Sequence, residues 1–245
     1  MVMGTSYNPR IVTENLVFCV DAANVRSYPK TGTTLTDLKG GNSGTLTNMA
    51  DNFDSANGGS LTFDGADERI TFGSDGAAIL NGLSELTLEM CFKASAISSD
   101  RGLIFGDFVS NGADNGFGLR FDNSGASGGG NNVIKTGFGT NNSGSAGSAL
   151  ESSSNIQSTD WMCISVVCDV GTSIDLYKDG LLDTPTNRTH NASVTSVSNC
   201  SSLRIGQGAK SGYWSGKIQS VRIYNRILTS NEIRQNYLAT KERYA

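Results

Sequence analysis

Residues 216–237 read GKIQSVRIYNRILTSNEIRQNY, and this stretch decides the fold because it spells a strand, a tight corner and a helix in succession. Residues 218–224 are rich in β-branched and aromatic side chains, with Val221 and Ile223 on one face, the pattern of a half-buried strand. Thr229 stands where it caps a following helix, and Glu232, three residues on, reaches back to the cap amide. Leu228 before the cap and Ile233 after it are spaced as a hydrophobic staple. Ile233 and Tyr237 then share the face by which the helix docks on the body.

Working outward, residues 202–206 predict the strand before this element. Residues 161–170 and 173–177 predict two strands around a turn, and Lys178-Asp179-Gly180 makes a second turn into Leu181 and Leu182. Leu86, Leu88, Met90 and Phe92 alternate strictly with Glu85, Thr87, Glu89 and Cys91, which predicts a long strand with one polar, solvated face. Residues 61–63 and 69–72 flank an Asp-Gly corner and read as a hairpin. Residues 16–20 form a short apolar strand, and the run that follows to about residue 48 mixes turn residues with isolated apolar ones, predicting a surface wrap. Residues 102–108 and 116–121 form a further strand pair. From 111 to 158 Gly, Ser and Asn dominate, interrupted by a strand at 133–138, so this region reads as long loops at one rim. The sum is an all-β, antiparallel two-sheet sandwich with one short C-terminal helix. Residues 1–10 read as an N-terminal arm and 11–245 as a single domain.

The 245 residues carry a net charge of −4, and the pI is near 5.0. Nucleic acid and anionic membranes reward a basic face, so neither is expected as the main partner. A chain of this size buries a full core unaided, exposing roughly 10,500 Å² when folded. The N-terminal residues show no basic region followed by an apolar run, so no signal peptide is expected, and no apolar segment is long enough to predict a membrane span. Cys19, Cys91, Cys163, Cys168 and Cys200 are odd in number and lack CxxC spacing. They read as buried free thiols of a protein made in cytosol, with no disulfide framework or zinc site. Sequons at Asn141, Asn187, Asn191 and Asn199 matter only on a eukaryotic secretory route.

Several separated motifs carry a family resemblance. FCVDAANVRSYPKTGTTLTDL resembles the opening of a laminin-G-like group met in structural proteins of tailed bacteriophages. GTLTN, SLTFDGADERI, LTLEMCFKA, DWMCISVVCD, IDLYKDG and GKIQSVRIYNRILTSNEI follow in that family's order. The chain is thus similar to the laminin-G-like, concanavalin-A-like lectin/glucanase jelly rolls, over roughly residues 11–237. Leu35 stands where the family usually has an aromatic, and Gln219 replaces the acid usual in its closing strand.

The resemblance implies three kinds of chemistry. Laminarinase-type glucanases of this superfamily use Glu-x-Asp-x-Glu on one strand face, and here Glu85, Thr87 and Glu89 fall in that register. Thr87 cannot serve as the middle carboxylate, so no catalytic residue is assigned and no enzyme is expected. The sole histidine, His190, lies in a polar stretch that reads as a solvated loop, which argues against Ser-His-Asp chemistry. Calcium is the ligand the family implies most often. Asp64 with Asp67 are the candidate ligands, Asp51 with Asp54 a second pair, and the plainer reading makes all four turn residues. With Gln219 uncharged, no cofactor is expected, calcium being the one to test. Sugar stacking wants exposed rings, but Trp161, Trp214, Phe117 and Phe138 read as core, leaving Asn115, Asn123, Asn131 and Asn142 on rim loops for hydrogen bonding to a glycan.

The reading that follows is a non-catalytic structural protein of a phage virion, made in the host cytoplasm. It would decorate a capsid, tail or fibre in multiple copies, with other virion proteins and host-surface glycans as partners. A carbohydrate-binding module is the alternative, and a glucan hydrolase the third reading.

Overall fold

The computed structural model describes residues 9–49, 51–97, 101–106, 117–122, 131–140, 146–198, 200–208 and 212–243. In chain order the strands are β1 (Leu16–Asp21), β2 (Thr34–Thr36), β3 (Ser43–Thr47), β4 (Phe53–Asp54), β5 (Ser60–Asp64) and β6 (Arg69–Thr71). Helix α1 (Gly73–Leu80) comes next, then β7 (Glu85–Ala94), β8 (Arg101–Phe105), β9 (Phe117–Asp122), β10 (Val133–Thr140) and β11 (Ala146–Glu151). The chain continues through β12 (Trp161–Asp169), β13 (Ser173–Lys178), β14 (Leu181–Leu182), β15 (Asn187–His190), β16 (Arg204–Ile205) and β17 (Ser215–Tyr224) to helix α2 (Ser230–Thr240). No described helix is long and apolar enough to cross a membrane.

Two sheets form the sandwich. Sheet A runs β14-β13-β12-β7-β17-β5-β4, and β1 also pairs with β17; sheet B runs β15-β11-β10-β9-β8-β16-β6-β3-β2. Every pairing is antiparallel, as expected of strands joined by short connections rather than crossover helices. The core between the sheets is built from alternate residues such as Leu86, Leu88, Met90 and Phe92 of β7 and Leu119 and Phe121 of β9. Trp214 is buried at its centre, edge-on to Phe92 and Phe121 at 5.3 and 5.1 Å.

The closing element reads as the sequence predicts. Thr229 Oγ1 accepts from the Glu232 amide while the Glu232 carboxylate accepts from the Thr229 amide, a complete capping box. Leu228 and Ile233 are buried together with Leu16, Tyr177 and Tyr224. β17 changes neighbours part-way along one edge. It pairs with β5 up to Ile218 and with β1 from Ser220 onward, and its ladder to β7 is irregular between the same two residues. Gln219 sits at that changeover.

Several local expectations change in three dimensions. Residues 61–63 and 69–72 do not form a hairpin: β5 belongs to sheet A and β6 to sheet B, so the Asp-Gly corner crosses between layers. The predicted surface wrap contains β2 and β3 and buries Tyr28, Leu35, Leu46 and Met49. β11 lies inside the Gly/Ser/Asn-rich region, and α1 joins the C-terminal helix as a second short one. The cysteine reading is corrected too. Cys91 and Cys163 lie directly opposite each other on β7 and β12 and form a disulfide, while Cys19, Cys168 and Cys200 are free and buried. The partners are 72 residues apart in the chain, so only strand register reveals the pair.

Candidate functional site

The first place to look for chemistry is the outer face of sheet A, because Glu85, Thr87 and Glu89 lie there. Strand register sets Tyr177, Ser165, Glu89, Arg222 and Cys19 opposite one another in a row across β13, β12, β7, β17 and β1. Helix α2 lies on this row. Asn236, 1 % exposed, donates from Nδ2 to Glu89 Oε2 at 2.9 Å and to Tyr224 Oη at 3.1 Å, and its Oδ1 accepts from the Val12 amide at 2.7 Å. Ser165 Oγ donates to Glu89 Oε1 at 3.2 Å, and Arg222 Nη1 stands 3.5 Å from Oε2. Burial pushes the Glu89 carboxyl above its ordinary range, against the pull of Arg222, Asn236 and Ser165.

Thr87 is equally committed. Its Oγ1 donates to the Arg226 carbonyl at 2.8 Å and accepts from the Leu228 amide at 2.9 Å, holding the corner into α2. Glu85 is exposed. The three residues that match the glucanase register therefore have different fates, and two of them seat the helix. The expected solvated face is closed because an element from the far end of the chain covers it.

The Asp-Gly corner brings a different acid to Asp64 than the one expected. Asp64 Oδ1 accepts from the Ala66 amide at 2.7 Å, a local turn bond, while Asp67 accepts from Asn48 Nδ2 at 2.8 Å. Asp64 shares a hydrogen bond with the Glu68 carboxyl, which holds Asp64 below its ordinary value; burial raises Glu68. Glu68 also accepts from the Asp64 amide and from Asn52 Nδ2. Of the second pair, Asp54 is an ion-pair partner of Lys217, and Asp51 is exposed with positive φ. No group of three or more acidic, histidine or cysteine side chains is poised for a metal among the described residues. Gln219 is buried, and its Nε2 donates to the Asn57 carbonyl at 2.7 Å. A carboxylate there would face that carbonyl oxygen without a proton between them, whereas the amide supplies one.

His190 lies on edge strand β15 rather than in a loop. Its Nδ1 is 3.2 Å from Ser148 Oγ, but Ser148 is wholly buried and its hydroxyl already faces the Asp169 carbonyl at 3.3 Å and the Gly171 amide at 2.9 Å. Wholly buried and already bonded to backbone on two sides, Ser148 is a structural hydroxyl rather than an accessible nucleophile.

The outer face of sheet B is built differently. Arg120 on β9, Lys135 on β10, Glu151 on β11 and Asn187 on β15 form one register row, and Asp122 follows Arg120 on the same face. Asp122 Oδ2 lies 3.4 Å from Arg120 and 3.2 Å from Lys135, and Lys135 Nζ lies 3.2 Å from Glu151 Oε1. Four charges thus alternate across three strands and sum to zero. The neighbouring row, Gly118, Gly137 and Ala149, is small, so a low strip of backbone runs beside the half-buried Arg120 and Lys135, whose partners Asp122 and Glu151 are themselves buried. Gln157 ties the ends of β9 and β10 together, donating to the carbonyls of Asp122 and Val133 at 3.0 and 2.9 Å. The sequence reading missed this row because each residue alternates with a core residue on a strand set among Gly, Ser and Asn. Phe117 and Phe138 are core as expected, packed edge to face at 4.9 Å. Trp161, expected in the core, is half-buried at the start of β12. Asn131 is exposed; Asn115, Asn123 and Asn142, with the sequons at Asn141 and Asn199, lie outside the described residues.

Two antiparallel sheets packed face to face, with one short C-terminal helix, make a jelly-roll sandwich. The chain belongs to the Laminin_G_3 family of the concanavalin A-like lectin/glucanases superfamily, whose family model matches residues 64–234. No curated protein matches it in sequence. Among solved structures it is similar to domain 4 of the extracellular GH43 arabinanase of Geobacillus stearothermophilus, solved in complex with arabinotriose. The TM-score is 0.64 at 14 % identity, covering 91 % of this chain and 98 % of that one. Trypanosoma rangeli sialidase aligns with TM-score 0.62 at 15 % identity over 96 % of this chain but 36 % of its own, so the chain spans about a third of that enzyme. The binding domain of Paraclostridial Mosquitocidal Protein 1 aligns with TM-score 0.61 at 16 % identity, over 91 % of this chain and 52 % of its own. At these identities the likeness is one of fold.

Proposed function

We propose that the protein is a non-catalytic carbohydrate-recognition module that binds neutral, hydroxyl-rich glycan through the outer face of sheet B. The observation that carries this reading is the zero-sum row of Arg120, Asp122, Lys135 and Glu151 beside the Gly118–Gly137–Ala149 strip. A sugar hydroxyl donates and accepts at once. The half-buried Arg120 and Lys135 offer it donors, and the carboxylates of Asp122 and Glu151 between them balance their charge. The absence of catalysis is supported by Glu89 and Thr87, whose polar atoms are spent on seating α2. The arabinotriose complex of the arabinanase domain is a parallel on the same fold, and function is argued from the site, not from that parallel.

Recognition by hydrogen bonds without ring stacking is weak, in the millimolar range or about −4 kcal/mol. Weak sites become useful when displayed in many copies. The setting we infer is therefore the one the bacteriophage-like motifs suggest: a virion surface protein, made in the host cytoplasm, held by other virion proteins and touching host glycans. The Cys91–Cys163 disulfide suits the oxidising exterior that a released particle meets. A glycan array probed with a multivalent form of the protein tests the first claim, with reducing-sugar release measured on every bound glycan. Binding without release is expected, weakened at least tenfold by Lys135→Ala. No binding to any glycan, or release of reducing ends, overturns the reading. Co-sedimentation with purified particles tests the setting.

A further inference from the structure

The Cys91–Cys163 disulfide lies on the outer face of sheet A, one register step from the Glu89–Arg222 row, with the two residues 3 % and 7 % exposed. A small cavity lies over it, walled by both cysteines, Glu89, Arg222, Tyr237 and Thr240. The last two of these belong to the final turns of α2. The two halves of that helix are held by different forces. Its start is anchored by the buried apolar pair Leu228 and Ile233. Beyond Ile233 the helix buries only Asn236 and Thr240, and the chain after it is fastened by Arg243 Nη1 on Asp21 Oδ2 at 2.7 Å. A segment that fully buries no apolar side chain opens locally at lower cost than one seated in a hydrophobic core.

We propose that the final turns of α2 gate thiol–disulfide exchange at Cys91–Cys163, and that the state of this disulfide in turn sets how tightly those turns seat. An attacking thiolate needs a clear approach to one sulfur, and the cavity with α2 down admits none. Once the turns lift, a dithiol reductant attacks. The Cys91–Cys163 bond breaks, the reductant's own S–S bond forms, and two electrons and two protons end on the two cysteine thiols. The freed sulfurs then move from bonding distance, about 2.05 Å, to the non-bonded separation of heavy atoms, about 3.5–4 Å. The space they take is the cavity beneath Tyr237 and Thr240. Gate and bond are thereby coupled in both directions, as any two linked equilibria are. This inference is independent of the glycan reading.

The full chain is treated with dithiothreitol, quenched with iodoacetamide at intervals and weighed by mass spectrometry. Thr229→Ala removes the cap of α2, and Arg243→Gln releases only its final fastening. Reduction is expected to run about fivefold faster in the first variant, the factor a typical lost cap implies, and measurably faster in the second. Hydrogen exchange of amides 234–243 is expected to speed up in the reduced protein. A reduction rate equal to wild type in Arg243→Gln, whatever Thr229→Ala does, or equal exchange of those amides in the two redox states, overturns the proposal.

Discussion

Replacing Glu89 with Gln separates a structural acid from a catalytic one. The substitution keeps the side chain's shape but replaces two acceptor oxygens, one for Ser165 and one for Asn236, with a single carbonyl and an NH2 group, and it removes the charge that faces Arg222 at 3.5 Å. Both side chains of that pair are about 5 % exposed, so water cannot take the lost partner's place. Removing one member of such a buried pair costs about 3–5 kcal/mol. For a domain of this size that corresponds to roughly 6–20 °C in thermal midpoint. Glu85→Gln, on the same strand face but exposed, should stay within about 0.5 kcal/mol. Calorimetry or urea titration of both variants reads the contrast directly. Replacing Glu89 and Arg222 together by apolar residues of similar volume should recover part of the loss, because the burial cost of both charges disappears while Ser165 and Asn236 each lose an acceptor. A Glu89→Gln variant as stable as the parent would refute the assignment of this carboxylate to helix docking.

Other consequences are as direct. Thr229→Ala should cost about 0.5–2 kcal/mol, read as a lower urea midpoint with unchanged slope. Glu232 is held at about 2, chiefly by hydrogen bonds from Arg226; a lowered carboxyl contributes stability that is complete above its ordinary value near 4.5 and fades as pH falls toward 2. Thermal midpoints should therefore drop across that window in the parent and less steeply in Arg226→Gln. Because Asp64 holds a turn bond, Asp67 accepts from the Asn48 side chain and Gln219 donates to a carbonyl, chelator should leave the midpoint unchanged. A large fall restored by calcium and abolished in Asp64→Asn would show a metal loop at this corner.

The parts of the fold legible in the sequence are those whose causes are local. The capping box needs only Thr229 and Glu232 three residues apart, and the staple only Leu228 and Ile233, so both were readable without any partner strand. Glu89 was not, since its alternation with Leu88 and Met90 is that of a solvated face, and only the return of α2 onto sheet A turns it into a buried one. The corner at Asp64 and Gly65 carries the same turn signal whether the next strand pairs back or crosses to the other layer. β11 escaped because a strand flanked by β10 and β15 needs few apolar residues when its neighbours supply the core contacts. The row of Arg120, Lys135 and Glu151 combines these difficulties: each residue is ordinary in its own strand, and register alone assembles them.

Helix α2 closes sheet A for structure, and sheet B carries the recognition face we propose. The most direct test is a titration of isotope-labelled protein with the strongest glycan from an array, followed by amide chemical shifts. Shifts should cluster at residues 118–122, 135–137 and 149–151 and vanish in Lys135→Ala, with α2 and β17 unmoved. Shifts confined to α2, β7 and β17, around Glu89, would contradict the account and return the binding site to the face that the helix covers.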